Sequence, residues 1–94
     1  KINDSIFTGM DLRSTEIISC EARNMDFDKT NLTKVKMTGT DLLNSTFANT
    51  NLSFADLTDC RNYRIDPTRN NIKKAKFSLP DALSLLDQWD IEII

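Results

Sequence analysis

Histidine is absent from this 94-residue chain, and with it the side chain most often used as a general base or metal ligand near neutral pH. Glycine occurs only at Gly9 and Gly39, too far apart to form a phosphate-cradling loop. The two cysteines, Cys20 and Cys60, give no disulfide framework. No signal-peptide pattern is present and no apolar run reaches transmembrane length. These absences point to a cytoplasmic, non-enzymatic chain with no cofactor and no membrane contact. Acid pairs such as Asp26 with Asp28, or Asp56 with Asp59, could serve acid/base work only if buried, and they read as solvated surface groups.

What the chain has instead is a beat of five. Ile2, Phe7, Leu12, Ile17, Ala22, Phe27, Leu32, Met37, Leu42, Phe47, Leu52 and Leu57 are all apolar. With 39% hydrophobic residues overall, such a run in one frame is not a chance pattern. A period of five fits neither a helix nor a flat strand. The backbone must therefore turn a corner in every unit and send one apolar side chain inward each time. Such a unit cannot bury its own apolar face, so neighbours must stack above and below it, as in a repeat solenoid.

A second register lies two residues before the first. Ser5, Met10, Thr15, Cys20, Met25, Thr30, Val35, Thr40, Ser45, Thr50, Ala55 and Cys60 are small or compact apart from the methionines, and are expected to point inward where space is short. Asp11, Glu16, Glu21, Asp26, Asn31, Asp41, Asn51 and Asp56 are typical of the polar position between the registers. Words such as Thr30-Asn31-Leu32-Thr33, Thr50-Asn51-Leu52-Ser53 and Ala55-Asp56-Leu57-Thr58 resemble the A(D/N)LXX motif of pentapeptide-repeat proteins over about two thirds of the chain. The resemblance implies an all-β solenoid, a right-handed quadrilateral β-helix with four pentapeptides to a coil and about four coils here.

A period of twenty is visible independently. Phe7, Phe27 and Phe47 should stack in one inner column. Leu12, Leu32, Leu52 and Ile72 should fill a second, and Ile17, Met37, Leu57 and Phe77 a third. Ile2, Ala22 and Leu42 form a less uniform fourth. Gly9, Gly39, Asn24, Asn44 and Asn49 fall two residues after inward positions and tolerate positive φ, so corner turns are expected there. The remaining corners, with Ser, Lys, Phe or Asp, are expected to use a different turn. Cys20 and Cys60 occupy like positions two coils apart, about 9–10 Å at the strand spacing, which is too far for a disulfide.

The beat falters after Cys60. The inward positions Asn62 and Pro67 are not apolar, and residues 61–69 read as an irregular loop before a last coil at 70–77, completing a repeat domain of residues 1–77. Ser78-Leu79-Pro80-Asp81 offers a hydroxyl N-cap, an early proline and a first-turn acid. An α-helix from Leu79 to Trp89 should follow, with a short strand-like run of Ile91, Ile93 and Ile94. Residues 78–94 are thus expected to cap the open coil end. Leu79, Leu83, Leu85, Leu86, Trp89, Ile91, Ile93 and Ile94 exceed what one coil end can cover, which predicts a twofold homodimer. Lys1 begins mid-unit, so further coils are expected upstream in a longer parent chain.

Charge is unevenly spread. Residues 1–60 carry nine acids and six bases, 61–77 one acid and six bases, and 78–94 four acids alone. The bases Arg61, Arg64, Arg69, Lys73, Lys74 and Lys76 read as a solubilising belt; direct nucleic-acid binding is not expected of an acidic chain with little aromatic interleaving. Repeats, an Asp66-Pro67 break, an Ile72/Phe77 coil and a leucine-rich terminal helix resemble the C-terminal end of Qnr-type pentapeptide-repeat proteins. That resemblance implies dimerisation through this end and a DNA-mimicking rod that binds DNA gyrase or topoisomerase IV and lowers quinolone sensitivity. The outward Arg13, Arg23, Lys29, Lys34 and Lys36 leave no face strongly negative. The reading from the residues is therefore a structural or protein-binding module, with the topoisomerase-directed mimic as its alternative.

Overall fold

Wherever the backbone pairs, it pairs with the residue twenty positions on. The computed structural model describes residues 2, 3 and 6–94, with the side chains of the first two left aside. Strand β1 (Ile2–Asn3) lies parallel to β2 (Ala22–Arg23) in the register Ile2↔Ala22, and β3 (Asp56–Leu57) lies parallel to β4 (Lys76–Phe77) in the register Leu57↔Phe77. Parallel bridges at Ile6↔Asp26, Asp11↔Asn31, Glu16↔Lys36 and Glu21↔Asp41 mark the four sides of one coil. The interval recurs lower down at Asp26↔Thr46, Asn31↔Asn51, Lys36↔Asp56, Asp41↔Arg61 and Asn51↔Asn71. The chain is a β-helix solenoid, 36 Å by 23 Å by 23 Å.

The apolar beat fills its interior. Phe27 is fully buried between Phe7 and Phe47, with ring centroids 5.6 and 5.2 Å away and planes within 18° and 17° of parallel. Leu32 and Leu52 are buried in the second column, with Leu12 and Ile72 partly covered at its ends. Ile17, Met37 and Leu57 are buried in the third, with Phe77 partly covered. Ala22 and Leu42 are buried in the fourth. The inward placements expected of the Ile2 side chain and of Ser5 lie outside the described residues, as does Lys1.

Two devices explain the other repeat positions. The hydroxyls of Thr30, Thr40, Ser45 and Thr50 donate to the carbonyls of Phe7, Ile17, Ala22 and Phe27, 2.8, 2.5, 2.8 and 2.7 Å away. Each bond satisfies a carbonyl one coil up, so this position selects a short donor as well as a small volume. The Cys60 thiol takes the same place toward the Met37 carbonyl at 2.9 Å, and the Asn70 amide toward that of Phe47 at 3.0 Å. Meanwhile Asp26, Asn31, Asp41, Asn51, Asp56 and Asn71 accept the backbone N–H two residues on at 2.9–3.1 Å. These Asx turns start the corners and explain the Asp or Asn of the motif.

The corners depart from expectation. Every one from residue 9 to residue 59 has positive φ, including Ser14, Ser19, Lys29, Lys34, Phe54 and Asp59 at 51–61°. One turn therefore serves all residue types, where two kinds were expected. The inter-coil bonds closed on either side, such as Lys34 N–H to the Ser53 carbonyl at 3.0 Å and Phe54 N–H to the Lys73 carbonyl at 2.9 Å, offset the roughly 1–2 kcal/mol that a left-handed L-residue costs. Met10 differs too: it is exposed rather than inward, whereas Met25 is buried.

The region after Cys60 also needs correction. Arg61 is still in register with Asp41, but the Asn49 N–H donates to the Arg69 carbonyl, twenty residues on where the other corners reach nineteen on, so the irregular part is 62–69. Within it the inward role moves one residue on, from Asn62 to Tyr63, and two residues back, from Pro67 to Ile65. Both are buried, and the Tyr63 ring lies 5.6 Å from that of Phe77. Asn62 instead takes the left-handed conformation at φ 62°. The coil keeps its twenty-residue length by exchanging which side chains fill it.

The expected α-helix is a 3₁₀ helix, Asp81–Trp89, entered through Pro80 with no side-chain cap. Ser78 and Asp81 bond to the coil above instead. The Ser78 hydroxyl accepts the Asp59 N–H at 3.0 Å, and the Asp81 carboxylate accepts the Asn62 N–H at 3.3 Å. They stand where a further coil's carbonyls would stand. A helix of nine residues gains little from propagation, so this tethering sets its winding. The expected terminal strand does not form either; residues 91–94 are exposed and make no backbone hydrogen bond among the described residues.

Candidate functional site at the coil end

The surface around the 3₁₀ helix is where apolar side chains fail to find cover. Leu85 packs against the core, and Leu86 is half-buried. Leu79 and Leu83 are exposed, as are Trp89 at 48%, Ile91 at 53% and Ile93 at 55%, and Ile94 follows them. No described residue of the helix is fully buried. Leu43, exposed on the neighbouring wall, joins Tyr63, Pro80, Leu83 and Ile93 around an open groove. The Ser84 hydroxyl ties the helix back to the Tyr63 carbonyl at 3.3 Å.

Polar groups beside this surface are structural in their bonding. Asp41, read from sequence as an outward acid, is almost wholly covered, its exposure being 3%. Its carboxylate accepts Arg23 Nη2 at 2.8 Å, the Asn62 amide at 3.0 Å and the Leu43 N–H at 3.1 Å. The Asn62 amide, the Arg23 guanidinium and that N–H together hold its pKa below the usual carboxylate value, against the opposing effect of burial. Asp56, beside Thr58 and two lysines, is lowered as well. Burial pushes the Cys60 thiol up to about 11 and the Tyr63 hydroxyl up to about 12, away from reactivity at neutral pH. Both cysteines are free.

The sequence singled out the acid pairs 26/28 and 56/59. In the structure Asp26 and Asp56 are turn acceptors, while Asp28 keeps one carboxylate oxygen buried without a partner among the described residues. The Arg23–Asp41–Asn62 cluster escaped that reading because its members lie 18 and 21 residues apart; the twenty-residue period, applied to outward positions as well as inward ones, would have brought them together. Among the described residues, no three acid or cysteine side chains converge as metal ligands, and no helix is long and apolar enough to cross a membrane.

The six belt bases do not share one face. Lys76 ends the column Glu16, Lys36, Asp56, Lys76, in which sign alternates at each coil. Arg61 sits below Asp41 on the next side. Lys74 is at a left-handed corner beside Lys73, and Arg64, 3.7 Å from Asp87, lies on the irregular segment toward the helix. Alternation of this kind spaces opposite charges roughly 5 Å apart along the rod and cancels the field at longer range.

A family model for pentapeptide repeats matches residues 26–61 in eight copies. A search of curated proteins finds no match. Among solved structures, full-length QnrB1, a plasmid-mediated fluoroquinolone resistance protein, is 12% identical with a TM-score of 0.48, over 89% of this chain and 44% of that one. Two trypsin-treated variants of QnrB1 are 19% and 16% identical, with TM-scores of 0.38 and 0.37, over 93% and 95% of this chain and 47% and 67% of theirs. This chain spans less than half the length of the full-length protein. From the repeat words, the twenty-residue pairing and the family match together, the chain carries the repeats of the pentapeptide-repeat family over residues 26–61.

Proposed function

We propose that this chain is a non-enzymatic, protein-binding solenoid that self-associates as a twofold dimer through its coil-end surface. The observation that carries the reading is the apolar side chains left uncovered there: Leu79, Leu83, Trp89, Ile91 and Ile93 are all exposed on one short segment. Surfaces of this kind on soluble chains mark interaction sites, and a closed twofold arrangement buries the same patch twice. The rest of the surface supports a module whose role is recognition. Its Asx turns and hydroxyl ladders hold backbone geometry, and the alternating column Glu16, Lys36, Asp56, Lys76 favours this reading over a uniformly negative, DNA-like rod. Sedimentation tests the self-association. Trp89→Glu should convert a dimer to a monomer with an unchanged far-UV spectrum, and a wild-type chain that sediments as a monomer at every concentration would contradict it.

A further inference from the structure

The ladder of inter-coil bonds has one gap on a wall that is otherwise regular. Along this wall Asn24 N–H donates to the Leu43 carbonyl at 2.9 Å, and Phe27 N–H to the Thr46 carbonyl at 3.0 Å. One coil down, the same positions are Asn44 and Phe47, and their N–H groups donate to nothing among the described residues. The carbonyls that the period assigns to them are Tyr63 and Asp66. Both have turned away: Tyr63 accepts the Ser84 hydroxyl at 3.3 Å, and Asp66 accepts Arg69 N–H and the Asn70 amide at 3.1 and 2.9 Å. The slip that buries Tyr63 and Ile65 has pulled residues 62–68 off the wall. A groove opens in their place, lined by residues 43–48, Asp28, Arg64 and Arg69.

We propose that this groove receives an acidic segment of a partner protein that turns a corner as residues 43–46 do beneath Asn24 and Phe27, so that its carbonyls complete the rungs for Asn44 and Phe47. As in strand addition, main-chain bonds to unpaired donors supply the affinity, but these donors straddle the Asn44 corner, so the incoming chain must bend to meet both. The partner's sign follows from the groove's own charges. Arg64 pairs with Asp87 at 3.7 Å and Arg69 lies near Asp66, both at exposed positions, and the two guanidinium groups line the groove with the open donors. Asp28 is the one acid lining the groove. Exposed Leu43 and Thr46 flank the track and provide a surface for alternate side chains. Trp89 does not line this groove, although Leu43 and Arg64 border both it and the coil-end groove.

The test uses the full chain and a dye-labelled octapeptide alternating Glu and Val about a central Asn-Gly turn, with its Lys/Val counterpart and polyglutamate as controls. Fluorescence polarisation should show saturable binding of the Glu/Val peptide and none of the Lys/Val peptide. Binding should weaken on the order of tenfold in the Arg64→Glu/Arg69→Glu double variant and stay unchanged in Lys36→Glu, which lies on another side. Amide exchange read by NMR should show Asn44 and Phe47 exchanging fast in the free chain and slowing in the complex, while Asn24 and Phe27 are protected throughout. The same result in Trp89→Glu separates this site from self-association. No binding at millimolar peptide, equal binding of polyglutamate and the Glu/Val peptide, or binding that leaves the Asn44 and Phe47 amides unprotected would overturn the proposal.

Discussion

Phe27 carries the heaviest single load in the interior. It is fully buried, in the middle of a three-ring stack, with neighbours at 5.6 and 5.2 Å on its two faces. Truncating it to alanine removes the transfer energy of an aromatic side chain and leaves a cavity between two rings held in place by inter-coil backbone bonds. Such sites cost about 3–5 kcal/mol, and the loss of two stacking partners puts Phe27→Ala in the upper part of that range, about 4–5 kcal/mol. For a chain of this size each kcal/mol moves the melting temperature by roughly 4–8 °C, so a fall of about 16 °C or more is expected. Phe7→Ala provides the internal control, because Phe7 is only partly buried and has a ring on one face among the described residues. Its fall should be clearly smaller. Calorimetry or circular dichroism at matched concentration reads both. Equal falls for the two variants, or a fall below about 5 °C for Phe27→Ala, would refute the claim that cavity formation in a closed stack sets the cost.

Further outcomes follow from the corners and the buried acid. Lys34→Asn should stabilise the chain by about 0.5 kcal/mol in urea titration, since Lys34 is exposed at φ 61° and asparagine enters that region at lower cost; Lys34→Val should destabilise it. Asp41 is held below its ordinary value of 3.8 in the folded state, so its contribution is fully present above the unfolded value and is lost as pH falls through the folded one. Asp41→Asn should therefore lower stability at neutral pH and flatten its decline below about pH 4, measured by urea midpoints across that window. A parallel decline in both proteins would remove Asp41 from the acid response.

Much of this fold could be read in the sequence because burial in a solenoid is periodic. One apolar residue in five, and a phenylalanine in twenty, place Phe27, Leu32, Met37 and Leu42 inward without knowledge of any contact, and all four are buried. What could not be read depended on the backbone. Lys34 and Phe54 belong to left-handed corners that their residue types disfavour, since closure of the coil outweighs local preference. Tyr63 replaced Asn62 because an irregular segment of unchanged length can present a neighbour's side chain inward, and the frame alone assigns the wrong residue. Ser78 and Asp81 carry every mark of a helix start, yet they bond upward to Asp59 and Asn62, partners set by the coil end. At the candidate site, the exposed leucines and isoleucines were legible from composition. The unpaired Asn44 and Phe47 amides were not, since a missing bond has no residue type.

The twenty-residue coil is the claim on which the columns, the gap and the coil-end surface all depend, and cross-coil nuclear Overhauser effects test it most directly. The structure predicts ring-to-ring cross-peaks between Phe7 and Phe27 and between Phe27 and Phe47, with backbone cross-peaks linking Asn31 to Asn51 and Lys36 to Asp56. Cross-peaks at another fixed interval, or none between these pairs in a folded sample, would contradict it.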